Sequence, residues 1–284
     1  MVLVPVQSLA QTYNLFGVKL GLFSLVLLGI GGALIFLFVL AGIYAHCRSI
    51  HTHLAAVSHD LRSPLTAIQG YLETIIDRGE GLSNAEKQRF MSVALKSAHS
   101  ATRLVNDVHH LSKLDATEAD IEREPLSATD LVMDVVMALK PACDEKKITI
   151  EADLAPALPL CIGNVQLLER LIRNVVENAI RYTPPHGTIR VHVAHDSRGA
   201  RVTVLDSGLG IPQSELDRVA NPFFRGKAAQ SSVGGSGLGL SISSKIARLH
   251  GSELKVLSRQ SEGTAVVFTI PAFAGQSRHA RNVA

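Results

Sequence analysis

The sequence predicts three structural zones: one transmembrane helix, an all-α helical hairpin that pairs into a dimeric four-helix bundle, and an α+β two-layer sandwich. Three observations carry this. A charge-free apolar run fills residues 20–45, two heptad-like stripes follow it, and the remainder mixes helical periodicity with strict alternation. The predicted boundaries are a short extracytoplasmic N-terminus over 1–19, the span over 20–45 and the hairpin over 46–115. A linker over 116–125, the sandwich over 126–273 and a tail over 274–284 complete the chain.

Each zone has its reason. Leu20 to Ala45 carries no charged side chain and exceeds the roughly 20 residues that cross a bilayer as a helix. Its length and the lack of a basic leader separate it from a signal peptide. Lys19 and Arg48 bracket the run, and Arg48 and Arg62 follow it. The positive-inside rule therefore places the C-terminal body in the cytoplasm.

In the hairpin zone the apolar positions run Leu54, Val57, Leu61, Leu65, Ile68, Leu72, Ile75, in steps of three and four. Such a stripe is a bundle seam. Gly79, Gly81 and Ser83 interrupt it, and Ser83 with Glu86 has the spacing of a capping box for a second helix. That helix repeats the rhythm through Phe90, Ala94, Ala98, Ala101, Val105, Val108 and Leu111. A two-helix hairpin buries its seam poorly alone, so a homodimer is expected.

Beyond Leu114 the stretch Asp115 to Pro125 is charged and aperiodic. Leu131 to Leu139 then reads as helix, Ile148 to Leu154 as strand and Val165 to Arg181 as amphipathic helix. Thr188 to Val193 and Arg201 to Leu205 alternate and read as a hairpin turning at Asp196 to Gly199. A helix over Leu238 to Leu249 and strands over Glu253 to Leu257 and Ala265 to Ile270 close the domain.

Bulk composition narrows the function classes. A net charge of +3, 5% aromatic residues and no Trp argue against a nucleic-acid partner. The cysteines Cys47, Cys143 and Cys161 form no C-x-x-C pair, so neither a disulfide framework nor a zinc site is expected.

The chemistry gathers at a few sites. His59 is one of 12 histidines, but it lies two residues from Val57 and Leu61, about 200° round the helix from the seam. Asp60 follows it directly, where a carboxylate can orient an imidazole or take its proton. Pro64 is expected to loosen the backbone nearby. Asn174 and Asn178 are four apart and share one helix face, with Arg181 a turn further on. Asp206-Ser-Gly-Leu-Gly-Ile211 follows a strand, and Gly234-Gly-Ser-Gly-Leu-Gly-Leu240 opens a helix whose N-terminal amides can face phosphate. Neither a Walker A motif nor G-x-G-x-x-G can be drawn through these glycines.

Val57-Ser-His-Asp-Leu-Arg-Ser-Pro-Leu-Thr66 resembles the H-box of the sensor histidine kinases of bacterial two-component systems. Asn174 to Pro184 resembles their N-box, Asp206 to Ile211 the G1 box, Asn221 to Gly226 the F-box and Gly234 to Leu240 the G2 box. Gly263-Thr264 resembles the last element before the final strand. The resemblance runs from the H-box to Pro271. It implies a gyrase/histidine-kinase (Bergerat-type) ATP site joined to a dimerisation and phosphotransfer hairpin.

By that resemblance His59 is the phospho-acceptor and Asp60 its acid/base partner. Ser63 stands where the family usually carries Thr or Asn, and it keeps the hydroxyl that positions water for phosphatase activity. The cofactors implied are ATP and Mg2+. Asn178 supplies the metal oxygen, Asn174 orders the site, Arg181 and Arg225 contact phosphate, and Tyr182 lies against adenine. Asp206 takes the adenine amino group. Gly208, Gly210, Ile211, Phe224, Gly235, Gly237, Leu238, Gly239, Leu240 and Thr264 complete the nucleotide site, with Ile211 to Val233 as its lid.

The implied activity is ATP-dependent autophosphorylation of His59, followed by transfer to the aspartate of a response-regulator receiver domain. The implied location is the bacterial inner membrane, with a single pass and a cytoplasmic catalytic body. Two rival readings are a degenerate membrane-tethered dimeric scaffold and a gyrase-like ATPase without phosphotransfer. Every box retains its chemical residues, against the first, and the second leaves the H-box unexplained.

Overall fold

The computed structural model describes residues 12–15, 18–21, 57–58, 60–79, 81–116, 121–156, 158–226 and 236–273. Met1–Ala56 and Val57–Ala284 form separate compact units. In the first, strands β1 (Thr12–Leu15) and β2 (Val18–Gly21) pair antiparallel, Leu15 opposite Val18. A helix starting at Leu20 is thereby corrected: Leu20 and Gly21 end a strand, where the β-branched and aromatic residues Thr12, Tyr13 and Val18 favour extended backbone. Residues 22–45 of the expected span lie outside the described residues. Among the described residues no helix is long and apolar enough to cross a membrane.

The second unit opens with the hairpin. Helix α1 covers 60–78, with helical backbone also at 57–58, and passes unbroken through Pro64. Helix α2 covers Asn84–Ala116. Its start is the expected capping box, in which the Ser83 amide and hydroxyl donate to Glu86 at 2.9 and 2.7 Å and the Glu86 amide donates back. Those bonds favour the charged carboxylate and hold the Glu86 pKa below its ordinary value. Tyr71 and Phe90 meet at 5.5 Å between ring centroids and join the two helices.

The α2 stripe has two faces rather than the one expected. Ala94, Leu104 and Leu114 are buried, while Val105, assigned to the seam, is 52% exposed. Leu104 and Leu114 join the core of the α+β domain, and α2 packs on its last helix. A straight helix with 3.6 residues per turn drifts from a 3.5-residue repeat, which lets one long helix serve two partners. The other face leaves Leu95 59% exposed along with Met91, and on α1 Leu65, at 54%, Leu72 and Ile76 are exposed as well.

The α+β domain is a sheet with helices on one side. Its five strands run in the order β4-β6-β7-β9-β8, where β4 is Thr149–Leu154, β6 Thr188–Asp196, β7 Gly199–Asp206, β8 Lys255–Arg259 and β9 Gly263–Pro271. Only β4 and β6 are parallel. Alternation does the sorting: Ile189, Val191, Val193, Val202 and Val204 are buried, while Arg190 and Arg201 face outward. Helices α3 (Ala128–Glu145), α4 (Val165–Tyr182) and α6 (Gly239–Leu249) supply the opposing apolar faces. A four-residue helix α5 covers Gln213–Leu216.

A second sheet was not read from the sequence. Strand β3 (Glu124–Leu126) pairs antiparallel with β5 (Cys161–Gly163). The expected linker over 116–125 therefore ends in a strand, and its start belongs to α2; residues 117–120 and the tail over 274–284 lie outside the described residues. Three-residue strands have no measurable period, and Pro125 hides this one further. Strand β8 also begins two residues later than expected.

Two polar clamps hold α4 in place. At its start Asn164 accepts from the Leu167 amide, and the Asn164 amide donates to His250 Nε2 at 3.0 Å. His250 Nδ1 is 2.8 Å from the Ile246 carbonyl oxygen, which can only accept. The ring is therefore the neutral tautomer with its proton on Nδ1. At the other end Lys146 Nζ donates to the carbonyls of Ile180 and Arg181 at 2.7 and 2.8 Å, capping the last turn.

Burial, with Arg123 nearby, pushes the His250 pKa below its ordinary value. The unfolded chain consequently takes up this proton first as pH falls. The contribution of His250 is complete above the unfolded imidazole value, about 6.5, and is lost as pH falls through the lower folded value. The thermal midpoint should fall on acidification below about pH 6.5, and His250→Gln should flatten that slope. Equal slopes for the two proteins in a scan of pH against midpoint would refute the assignment.

Candidate nucleotide and phosphotransfer site

Helix α4 presents opposite faces to core and solvent. Leu168, Leu171, Ile172, Val175, Val176 and Ala179 are buried against the sheet. Asn174, Asn178 and Arg181 instead line a cleft of about 720 Å³, together with Tyr182. Asn174 Nδ2 donates to the Gly239 carbonyl at 3.4 Å, linking α4 to the first residue of α6.

Asp206 ends β7 opposite Thr264 of β9, and both line the cleft. Asp206 Oδ1 accepts from the Gly208 amide at 2.8 Å and the Thr264 amide at 3.3 Å. Burial pushes the Asp206 pKa up, against the pull of those two amides. The turn that follows is tight. Gly210 has φ +65°, and a Cβ there would fall on the carbonyl oxygen of Arg259, so the residue is glycine on both counts. The Ile211 amide donates to Ser258 Oγ, which fixes the turn to β8.

The far rim is formed by residues 211–226 and the start of α6. Ile211, Phe224, Arg225, Gly237, Gly239 and Leu240 line the cleft. Arg218 lies over the Phe224 ring, 4.6 Å from its centroid. The Phe223 amide donates to the Gly237 carbonyl at 3.1 Å, and a Cβ at Gly237 would meet Phe223 backbone. Two residues expected at the nucleotide do not line the cleft. Leu238 is fully buried beneath it in the core, and Gly208 acts through its amide on Asp206. Gly235 and His59 lie outside the described residues, as do 227–233 of the expected lid.

The hairpin closes the opposite side. Asp60, Ser63, Pro64 and Ala67 of α1 and Lys96, Ser97, Ser100, Arg103 and Asp107 of α2 line the same cleft. Asp107 ties the two parts together, pairing with Arg170 of α4 at 2.8 Å and accepting from Ser236 Oγ at 3.2 Å. Sequence reading missed the α2 wall, Arg170, Arg173 and Glu177. The one available signal was the polar spacing 96, 100, 103, 107 on one face of a helix read only for its apolar stripe.

The cleft's chemistry suits a polyanion with an aromatic head. Its lining joins an acceptor carboxylate and the apolar Val204, Val266 and Leu209 to arginines and a helix N-terminus. Among the described residues no group of three His, Cys, Asp or Glu side chains stands together as a metal cage. One amide oxygen, from Asn178, is the type of ligand a magnesium ion takes when phosphates and water supply the rest. Cys143 and Cys161 are buried free thiols whose pKa burial pushes up, which leaves them inert.

Residues 50–117 match the His Kinase A (phospho-acceptor) domain, and residues 163–274 match the Histidine kinase-, DNA gyrase B-, and HSP90-like ATPase family. The chain is 34% identical over 212 residues to the phosphate regulon sensor protein PhoR of Pseudomonas aeruginosa, covering 74% of this chain and 47% of that protein. It is 32% identical over 225 residues to the adaptive-response sensory kinase SasA of a Synechocystis strain, covering 78% and 58%. The chain thus spans about half the length of these relatives.

Among solved structures, histidine kinase ThkA in complex with the response regulator protein TrrA superposes with TM-score 0.62 at 22% identity, covering 78% of this chain and 61% of that one. Full-length ShkA in complex with AMPPNP gives 0.58 at 24%, covering 78% and 46%. These two likenesses establish the fold. With both domain matches in the order the motifs require, and with relatives that are themselves sensor kinases, this chain belongs to the sensor histidine kinases.

Proposed function

We propose that this chain binds Mg·ATP in the cleft, phosphorylates its own His59 and passes the phosphoryl group to a response-regulator aspartate. One observation carries the reading: H-box residues Asp60 and Ser63 line the same cleft as the N-, G1-, F- and G2-box residues. Donor and acceptor machinery thus share one space within one compact unit.

Asp206 accepts the adenine amino group, and Tyr182 and Ile211 flank the base. Arg181 and Arg225 hold the triphosphate, with the α6 N-terminus behind it. Asn178 would hold a magnesium ion through its amide oxygen, and the ion would supply charge neutralisation at the phosphates. A lone pair on the His59 ring attacks the γ-phosphorus in line. The bond to the β–γ bridging oxygen breaks, and ADP leaves with that electron pair. The ring N–H proton passes to the Asp60 carboxylate, which keeps the imidazole oriented. Ser63 offers its hydroxyl to water for the reverse regulatory step, hydrolysis of a phosphorylated partner.

The partner assignments rest on chemistry and likeness together. A phosphoramidate is a high-energy donor suited to transfer onto aspartate, and ThkA is seen with a response regulator. The nucleotide assignment has the AMPPNP complex of ShkA beside it. The exposed stripe of Leu65, Leu72, Ile76, Met91, Leu95 and Val105 supports a homodimer, because leaving it wet costs roughly 25 cal/mol per Å². The charge-free run over 22–45 anchors the protein in the bacterial inner membrane with the catalytic body cytoplasmic.

Given Mg·ATP radiolabelled on its γ-phosphate, the protein should gain acid-labile, base-stable label. His59→Gln should abolish the label without loss of nucleotide binding, and Asn178→Asp should depress it severely. Label on the His59→Gln protein would refute the acceptor assignment.

Asp206→Asn should weaken ATP about tenfold, equivalent to roughly 1.4 kcal/mol, and lower the ratio of ATP to GTP affinity. The charged carboxylate is the stronger acceptor of the amino group, and its pKa is raised. Wild-type affinity should therefore fall with acidification starting above the ordinary carboxylate range, a dependence the asparagine variant lacks. An unchanged ATP/GTP ratio would count against the adenine contact.

Leu65→Asp places a charge in the open stripe and should dissociate the dimer, whereas Arg62→Ala should not. Sedimentation equilibrium in detergent decides, and a Leu65→Asp protein as dimeric as wild type would defeat the interface.

A further inference from the structure

The hairpin contributes more to the cleft than the acceptor helix. Lys96 and Arg103 of α2 both line it and are both exposed. Residues 96, 100, 103 and 107 follow one another at intervals of three or four, so they form a single face of α2. This is a different face from Met91, Leu95 and Val105, which form the open apolar stripe. Lys96 and Arg103 therefore look across the cleft and not into the dimer seam.

Their surroundings set them apart from the other cations there. Arg170 is neutralised by Asp107, and Arg173 by Glu169. Among the described residues no carboxylate pairs with Lys96 or Arg103. Two cations with no ion-pair partner thus share one helix face and line the same cleft as Arg181 and Arg225, a setting that favours a bound anion. The same helix face is pinned to α4 and to the glycine-rich turn through Asp107, which holds the two cations at the cleft. Structural cations on a solvated helix face need no such geometry.

Arg181 and Arg225 belong to the nucleotide domain and travel with ATP. Lys96 and Arg103 belong to the hairpin and travel with the acceptor. In phosphoryl transfer the charge of the γ-group moves from the nucleotide toward the acceptor helix, and groups on the acceptor side gain most as the bond to ADP breaks. We propose that Lys96 and Arg103 are catalytic residues that contact the γ-phosphoryl group during transfer, closing on the hairpin side a charge cradle that the nucleotide domain leaves open. This rests on the autophosphorylation reading above and adds two residues to it.

Interactions stronger in the transition state than in the bound ground state raise kcat and leave affinity alone. The chemical step itself is unaltered. The same P–O bond breaks, the same P–N bond forms, and the cations neutralise charge without exchanging a proton. Both directions share one transition state, so cations that act on that state alone slow the return of the phosphoryl group from His59 to ADP by the same factor as the forward step.

The experiment uses the full chain in detergent, with single-turnover labelling from γ-labelled Mg·ATP and competition binding of Mg·ATP. Lys96→Gln and Arg103→Gln should each slow labelling about tenfold, and the double variant about a hundredfold. The Kd for Mg·ATP should stay within about twofold. The rate at which ADP strips label from the phosphorylated protein should drop by the same factors. Lys96→Arg and Arg103→Lys should restore most of the rate, which a lost packing contact would not allow. Circular dichroism and the thermal midpoint of each variant should match wild type, because both residues are exposed.

A double variant labelled within twofold of the wild-type rate overturns this inference alone. So does a loss confined to ATP affinity with kcat unchanged, because that assigns both groups to ground-state binding. No label on the wild-type chain overturns both this inference and the autophosphorylation reading.

Discussion

The whole arrangement depends on α4 being insoluble on one side and chemically competent on the other. Six apolar side chains from Leu168 to Ala179 are buried, and the five Leu, Ile and Val among them are worth very roughly 1.5–3 kcal/mol each. That burial fixes the rotation of the helix about its axis, and the rotation in turn aims Asn174, Asn178 and Arg181 at the cleft. No loop could hold three polar groups in one line as firmly. The clamps at its ends then remove the remaining freedom. Asn164 and His250 stop the first turn from fraying, and Lys146 ties down the last turn at the carbonyls of Ile180 and Arg181.

A second constraint is that the hairpin must be part of the site without being locked to it. Its attachment is polar and compact. One carboxylate, Asp107, reaches both Arg170 and Ser236, and a small apolar contact from Leu104 and Leu114 supports it. Partly exposed ion pairs of this kind contribute little stability, typically ~1 kcal/mol or less. Such pairs can be made and broken at little cost, as the proposed phosphotransfer requires. Ser236 sits within the glycine-rich turn, so its hydroxyl on Asp107 ties that turn directly to the hairpin.

Much of this was legible because the periodicities were strong. The α4 boundaries, the capping box at Ser83 and the β6–β7 hairpin follow from patterns longer than a turn or a strand. The β3–β5 pair was hidden because three residues such as Cys161-Ile-Gly163 have no period, and its strands are joined by long-range pairing alone. Helix α2 was legible as a helix but not in its division of labour, since Leu104 and Val105 are adjacent, equally apolar, and separated only by which partner each meets. At the site, box residues were found by likeness. Leu238 shows the limit of that route, because it sits in the motif to fill the core under the turn.

The α2 wall could not be found by likeness to the boxes at all, because its residues lie outside every one of them. It becomes visible only when the cleft is treated as a volume with two sides. A nucleotide domain alone would surround ATP with charge on one side and water on the other, an arrangement that lets water compete with the histidine for the γ-phosphorus. On the proposed reading, Lys96 and Arg103 would substitute fixed charge for water where the phosphoryl group must arrive. The hairpin would then do two things, carrying the acceptor and supplying charge that favours the transferred group.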